Sequence, residues 1–183
     1  MKMLQLRIWL EQIEPLIWRR FLMPAHATFG ELSHVIQIVM GWANYHLHEF
    51  YIDEQKIGMK DEDSPSDVKN ENRIRLGPRL KTPGTKFRYL YDFGDDWEHS
   101  LALEAILDGD GQPQCLIGER ACPPEDSGGP NQYMEILAVW NRPKTRISKQ
   151  MRELLDWLNP EFDPAHFNRN EVNSLLKELR RPG

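Results

Sequence analysis

The chain has little cysteine, no long apolar run and no excess of positive charge, and each shortage excludes a class. Two cysteines in 183 residues, Cys115 and Cys122, are too few for a disulfide scaffold, and their spacing matches no zinc-ligand pattern. No stretch approaches the roughly 18 apolar residues that a membrane-crossing helix requires. The first residues carry Arg7, Glu11 and Glu14 in place of a clean apolar segment, so no signal peptide is expected and the chain reads as cytoplasmic, with no membrane partner. With 28 acids against 23 bases the net charge is −5, so nucleic-acid binding would need a local patch. No P-loop, dinucleotide fingerprint or G-x-S-x-G element is present, and Ser100 and Ser127 stand in no recognisable nucleophile context.

What is present is a globular composition: 40% hydrophobic residues and six tryptophans, enough for one sizeable core. Residues 3–10 alternate, with Leu4, Leu6, Ile8 and Leu10 on one face, which predicts a half-buried strand. Residues 17–24 predict its antiparallel partner, stopped by Pro24. There Trp18, Arg19 and Arg20 are read as an outer face, covered by long basic stems. Residues 28–41 predict a helix: Thr28 and Glu31 form a capping box, Leu32, Val35, Ile36, Val39 and Met40 keep helical spacing, and Gly41 suits the C-terminal cap. Residues 53–84 lose periodicity and predict a surface excursion.

Alternation resumes at 86–92, turns at Phe93-Gly94-Asp95-Asp96, and returns along 97–107. Residues 114–119 suit a short strand, and three helices are expected after 130, the last from about Asn170. Strands with one early helix, followed by a helical group, predict an α+β domain over 1–183 with a mainly antiparallel sheet, not an alternating parallel fold.

The densest chemistry lies in YLYDFGDDWEH (89–99) and CPPEDSGGP (122–130). Asp92, Asp95, Asp96, Glu98 and His99, with Glu125 and Asp126 and the neighbouring Trp42, form the candidate ligand-binding set. Carboxylates and imidazoles serve divalent ions and general acid–base chemistry alike. His46 and His48, two apart, would share one face of a strand and could start a metal site. Against this stands a plain reading: Asp95 and Asp96 cap a turn, His99 sits buried with a hydrogen-bond partner, and an acid or Ser127 caps the helix after 130. Glu98 and His99 point to opposite faces of their strand. Arg142, Lys144, Arg146, Lys149 and Arg152, in a stretch without acids, are the candidate phosphate-binding patch, weighed against a solvated helix face.

These motifs carry a resemblance. At YDFGDDWEH followed by CPPEDSGG, with PLIWRRFLMP early, GW…HLHEF at 41–50 and WLNPEFDPAHFNRNEVNSLL near the end, the chain closely resembles the plasmid pRi ORF-3-like family over nearly its whole length. The family comprises plasmid, bacterial and archaeal proteins without an assigned activity. Some relatives carry the label of transposable-element resolvases. That label does not transfer, because no nucleophile stands here in an arginine-rich context. Many relatives read Glu-Asp-Cys-Gly-Gly where this chain has Ser127, which counts against a thiolate zinc site and leaves a histidine/carboxylate site untouched. The resulting expectation is a non-catalytic binding or regulatory module, with a protein or nucleic-acid partner and a link to mobile elements. The alternative is a metal-dependent hydrolase using the histidine/carboxylate cluster, with a divalent metal as its cofactor.

Overall fold

The computed structural model describes residues 1–60 and 65–179, leaving aside the Lys144 side chain. Among them, eight strands form one sheet in the order β5-β4-β3-β6-β7-β1-β2-β8. In chain order these are β1 Lys2–Leu10, β2 Trp18–Pro24, β3 His48–Ile52, β4 Gln55–Gly58, β5 Val68–Asn70, β6 Lys86–Tyr91, β7 Trp97–Asp108 and β8 Gln114–Glu119. Every pairing is antiparallel except β4 with β5. The helices are α1 Phe29–Met40, α2 Gly129–Val139, α3 Lys149–Trp157 and α4 Arg169–Glu178. This is the α+β arrangement that the order of periodic segments predicts.

One face of the sheet makes the core. Leu4, Leu6, Ile8 and Leu10 of β1 are buried there, beside Leu101 and Leu103 of β7 and Phe87, Tyr89 and Tyr91 of β6. α1 lies on this face. Its capping box is complete: Thr28 Oγ1 accepts from the Glu31 N–H at 3.2 Å, and Glu31 Oε2 accepts from the Thr28 N–H at 2.7 Å. A cap of this kind stabilises a helix by about 1 kcal/mol. Phe29 then wedges edge-on against Phe50 and Phe87, and the Tyr89 hydroxyl takes a hydrogen bond from Gln37 Nε2 at 2.8 Å and meets Ser33 Oγ at 3.2 Å. The helix ends at Gly41, whose φ of 108° suits a glycine.

Two expectations fail here. Arg19 does not cover the outer face; it is 2% exposed, on the core side with Phe21. Its Nε donates to the Val39 carbonyl at 2.6 Å, and its terminal nitrogens donate to the carbonyls of Trp18, Met40, Glu119 and Arg120. The negative end of α1 and a ring of carbonyls thus hold a cation that has no carboxylate partner among the described residues. Arg20 does face outward, paired with Glu104. The excursion over 53–84 is also more ordered than its sequence suggests, holding β4, β5 and a single 3-10 turn at Glu71–Arg73. Strands of four and three residues are too short to print a period. Residues 61–64 of that segment lie outside the described residues.

The opposite face of the sheet carries Arg7, its guanidinium 5.0 Å from the Trp18 ring and 5.7 Å from that of Trp9. α4 guards the β8 edge: the Asn173 side chain accepts from the Cys115 N–H and donates to the Cys115 carbonyl, both at 2.9 Å, in the manner of a neighbouring strand. Among the described residues no helix is long and apolar enough to cross a membrane.

Candidate functional site

Three connections meet at one end of the sheet: 42–47 between α1 and β3, 92–96 between β6 and β7, and 122–128 leading into α2. The 92–96 turn is organised by Asp92, which adopts a φ of 58°. Its Oδ1 accepts the Gly94 N–H at 2.9 Å, its carbonyl accepts the Asp96 N–H at 2.8 Å, and its own N–H donates to the Leu47 carbonyl at 2.9 Å. The Asp92 side chain is therefore fixed by one oxygen, and Oδ2 is left for another use.

The third connection folds back onto the other two. Glu125 Oε1 accepts the Ala43 N–H at 2.6 Å and the Tyr91 hydroxyl at 2.9 Å. Burial, and next the Glu125 carboxylate, push the Tyr91 phenol well above its ordinary range, so it stays a donor. Asp95 Oδ2 accepts the Gly128 N–H at 2.9 Å. A side chain at Gly129, where φ is 78°, would place Cβ 2.6 Å from the Asp95 carbonyl oxygen, so this close approach needs glycine.

Between these connections lies His46. Its Nε2 stands 3.2 Å from Asp126 Oδ1, 3.6 Å from Asp92 Oδ2 and 3.7 Å from Glu125 Oε2. Nε2 and Glu125 Oε2 are both enclosed, and neither has a hydrogen-bond partner. Asp126 is the outermost member, its side chain 64% exposed. One donor atom each from His46, Asp92 and Asp126 lie within 4.8 Å of one another, the spread that a single cation could span. Exposed Tyr45, Leu47 and Phe93 sit on the same connections.

The expected set thus divides. His46, Asp92, Glu125 and Asp126 come together, and Asp95 supports them from the next position. Glu98 is on the opposite face, paired with Arg88 at 2.8 Å, and Asp96 lines a hollow on that side with Tyr51 and Arg88. His99 is fully buried in the core. Its Nε2 accepts the Trp42 indole N–H at 3.1 Å, so Nδ1 carries the proton toward the Tyr89 carbonyl at 3.2 Å. Burial pushes its pKa down to about 4 and keeps the ring neutral. Trp42 is 6% exposed, packed against Tyr91 and Trp97, and supports the site from within.

His46 and His48 do not form a pair. β3 begins only at His48, so the period-two rule does not reach His46, and the two imidazoles have separate partners. His48 Nε2 meets Glu71 Oε2 at 2.7 Å in the interior. The expected Ser127 or acidic cap of α2 is also absent: the N-cap is Gly128 with no side-chain hydrogen bond, and Ser127 is buried with a partnerless hydroxyl. Neither cysteine offers a thiolate, because burial pushes Cys115 up to about 11 and Cys122 well above the ordinary thiol range.

Arg142, Arg146, Lys149 and Arg152 are exposed around the start of α3, with Lys149 beside Glu153 at 3.6 Å; the Lys144 side chain lies outside the described residues. Sequence reasoning missed Tyr91, Glu71 and Arg19. Tyr91 carried a signal, standing one residue before Asp92 on a strand whose odd positions are apolar. Glu71 and Arg19 carried none.

Comparison with known proteins agrees with this architecture. A family model described as plasmid pRiA4b ORF-3-like protein matches residues 2–171. The chain is 35% identical over 182 residues to the uncharacterized protein y4hQ of Sinorhizobium fredii, covering 96% of this chain and 91% of that one. It is also similar to the crystal structure of MM3350, a protein of unknown function from Methanosarcina mazei Go1: TM-score 0.82, 35% identity, 93% of this chain and 97% of that one.

Proposed function

The chain belongs to the plasmid pRiA4b ORF-3-like family, and from that premise we propose that it is a non-catalytic binding module whose working face is formed by 42–47, 92–96 and 122–128. The observation that carries this reading is the joining of three separate connections into one fixed surface. Glu125 ties 122–128 to Ala43 and Tyr91, Asp95 ties it to the turn, and Leu47 is tied to Asp92. On that surface Tyr45, Leu47 and Phe93 are 77%, 58% and 51% exposed. Exposed apolar side chains on a rigid, ionisable platform suit recognition. Ser127 is enclosed and its hydroxyl meets no base, so it is not an activated nucleophile.

A photo-crosslinking residue placed at 45 or 93 tests this in cells, with one at Trp157, 58% exposed and so between the two, as control. Discrete adducts from 45 and 93 and none from 157 are expected; equal labelling at all three would sink the reading. The convergence of His46 with three carboxylates supports a second reading, a metal-dependent hydrolase. Turnover of ester or phosphoester substrates by wild type, lost in His46→Ala, would favour it over the first.

A further inference from the structure

We infer that His46 Nε2, Asp92 Oδ2 and Asp126 Oδ1 are ligands of one divalent first-row transition-metal cation, with the Glu125 carboxylate beside them. This deepens the binding-module reading, which supplies the surface on which the cation would act. Three independent features support the assignment.

The first is spacing. Donors that hold a cation at about 2.0–2.2 Å lie roughly 3–3.5 Å from one another around it. His46 Nε2 is 3.2 Å from Asp126 Oδ1 and 3.6 Å from Asp92 Oδ2, the three donor atoms all lie within 4.8 Å of one another, and neither contact meets hydrogen-bond geometry. An imidazole nitrogen enclosed by three carboxylates without a hydrogen bond to any is poorly explained as a satisfied buried group.

The second is support. Glu125 Oε1 is held by the Ala43 N–H and Tyr91 hydroxyl, and Asp92 Oδ1 by the Gly94 N–H. In each case the anchored oxygen leaves its twin facing His46; at Asp92 this is the arrangement in which outer hydrogen bonds aim a metal ligand, and at Glu125 it adds a negative charge beside the set.

The third is charge. Among the described residues no lysine or arginine pairs with Asp92, Glu125 or Asp126; each has His46 as its ionic partner. Three carboxylates gathered without a fixed cation repel one another, and a divalent ion removes that repulsion.

The donor set selects the metal. One imidazole with carboxylates suits manganese, iron or zinc, whereas calcium sites are built from oxygen donors alone. Both cysteine thiols are buried and free, outside the set, which removes the case for a thiolate site.

The test is calorimetric titration of chelator-treated protein with MnCl2 and with ZnCl2, alongside metal analysis of protein purified without chelator. Wild type is expected to bind about one equivalent, and Asp126→Asn, which alters an exposed side chain, to bind at least about tenfold more weakly. His46→Ala should abolish binding. Glu98→Gln, on the other face of the sheet, should bind as wild type does. If folded wild type takes up neither metal at millimolar concentration, or if His46→Ala and Asp126→Asn bind like wild type, the assignment is wrong. Crosslinks from 45 and 93 in that event would leave the binding-module reading standing, whereas metal binding without crosslinks would leave only the cation site.

Discussion

The interior beneath α1 and the cluster at the end of the sheet are made from the same materials, and they differ in one respect. Both contain histidine, carboxylate and tyrosine: His48, His99, Glu71 and Tyr89 in the interior, and His46, Asp92, Glu125, Asp126 and Tyr91 at the end of the sheet. In the interior, each histidine and the Tyr89 hydroxyl has at least one partner: His48 Nε2 with Glu71, His99 with Trp42 and the Tyr89 carbonyl, and the Tyr89 hydroxyl with Gln37 and Ser33. At the end of the sheet, His46 Nε2 and Glu125 Oε2 face each other without a hydrogen bond. Residue type therefore does not mark the site. Nor does a single unpartnered atom, since His48 Nδ1, Trp97 Nε1 and the Tyr133 hydroxyl are enclosed without a partner; what marks the site is an imidazole nitrogen facing three carboxylates with no hydrogen bond to any.

The sharpest way to break this comparison is to unpair the interior. Glu71 and His48 are 5% and 7% exposed. Replacing His48 with alanine leaves an enclosed carboxylate without its partner, a change of the kind that costs about 3–5 kcal/mol. Urea unfolding should show that loss as a lower midpoint with an unchanged slope. A loss below about 1 kcal/mol would mean that the His48–Glu71 contact does not hold the interior together, and the contrast would collapse.

His99 gives the next largest effect, through pH. Its folded pKa, near 4, lies below the ordinary value of 6.5 because burial disfavours the charged ring. The unfolded chain thus binds the proton more readily between those values. Stability is fully present above pH 6.5 and is lost as pH falls toward 4, at up to about 1.4 kcal/mol per pH unit. Burial sets the direction; the Trp42 N–H acts with it, since a proton on Nε2 would face that donor, whereas the Tyr89 carbonyl acts against it. A His99→Leu variant should be less stable at pH 7 but show a flatter decline over that window. Parallel declines in the two proteins would assign the pH dependence to other groups.

How much of this was legible in the sequence follows from the range of each interaction. The alternation of β1, the capping box of α1 and the Phe93–Asp96 turn are set within a few residues, and the structure has each where the sequence puts it. The pairing of His48 with Glu71 joins a strand to a stretch without period. The burial of Arg19 depends on carbonyls from α1 and from 119–120, which meet only once the sheet has formed. For the cluster, composition pointed to the right stretches but mixed its members with Asp96, Glu98 and His99. Separating them required knowing that β3 starts at His48 and that 122–128 returns to Ala43 and Tyr91.

Gly129 sharpens the contrast from the other side, because it governs how closely the third connection approaches the turn. Gly129→Ala would set a methyl against the Asp95 carbonyl oxygen at a positive φ. The expected loss is about 1–3 kcal/mol. In amide hydrogen exchange, faster exchange should be confined to 92–96 and 122–129, with the β1–β7 ladder unchanged. Faster exchange throughout the sheet would show that the end of the sheet is part of the core and not a separate platform.

The smallest effect is expected at Asp126, and it bears most directly on what the cluster is for. If the four side chains were a structural ion-pair network, removing one charge should cost stability, as unpairing His48 does. If they are ligands held ready for a cation, the metal-free protein carries repulsion among three carboxylates, and Asp126→Asn relieves part of it. The variant should then unfold within about 0.5 kcal/mol of wild type in the presence of chelator, as exposed substitutions do. Added MnCl2 should raise the wild-type unfolding temperature and raise that of the variant less, because stabilisation by a ligand follows its affinity for the folded state. A clear loss of stability in chelator, with no difference between the two proteins in manganese, would return Asp126 to the ranks of ordinary paired acids.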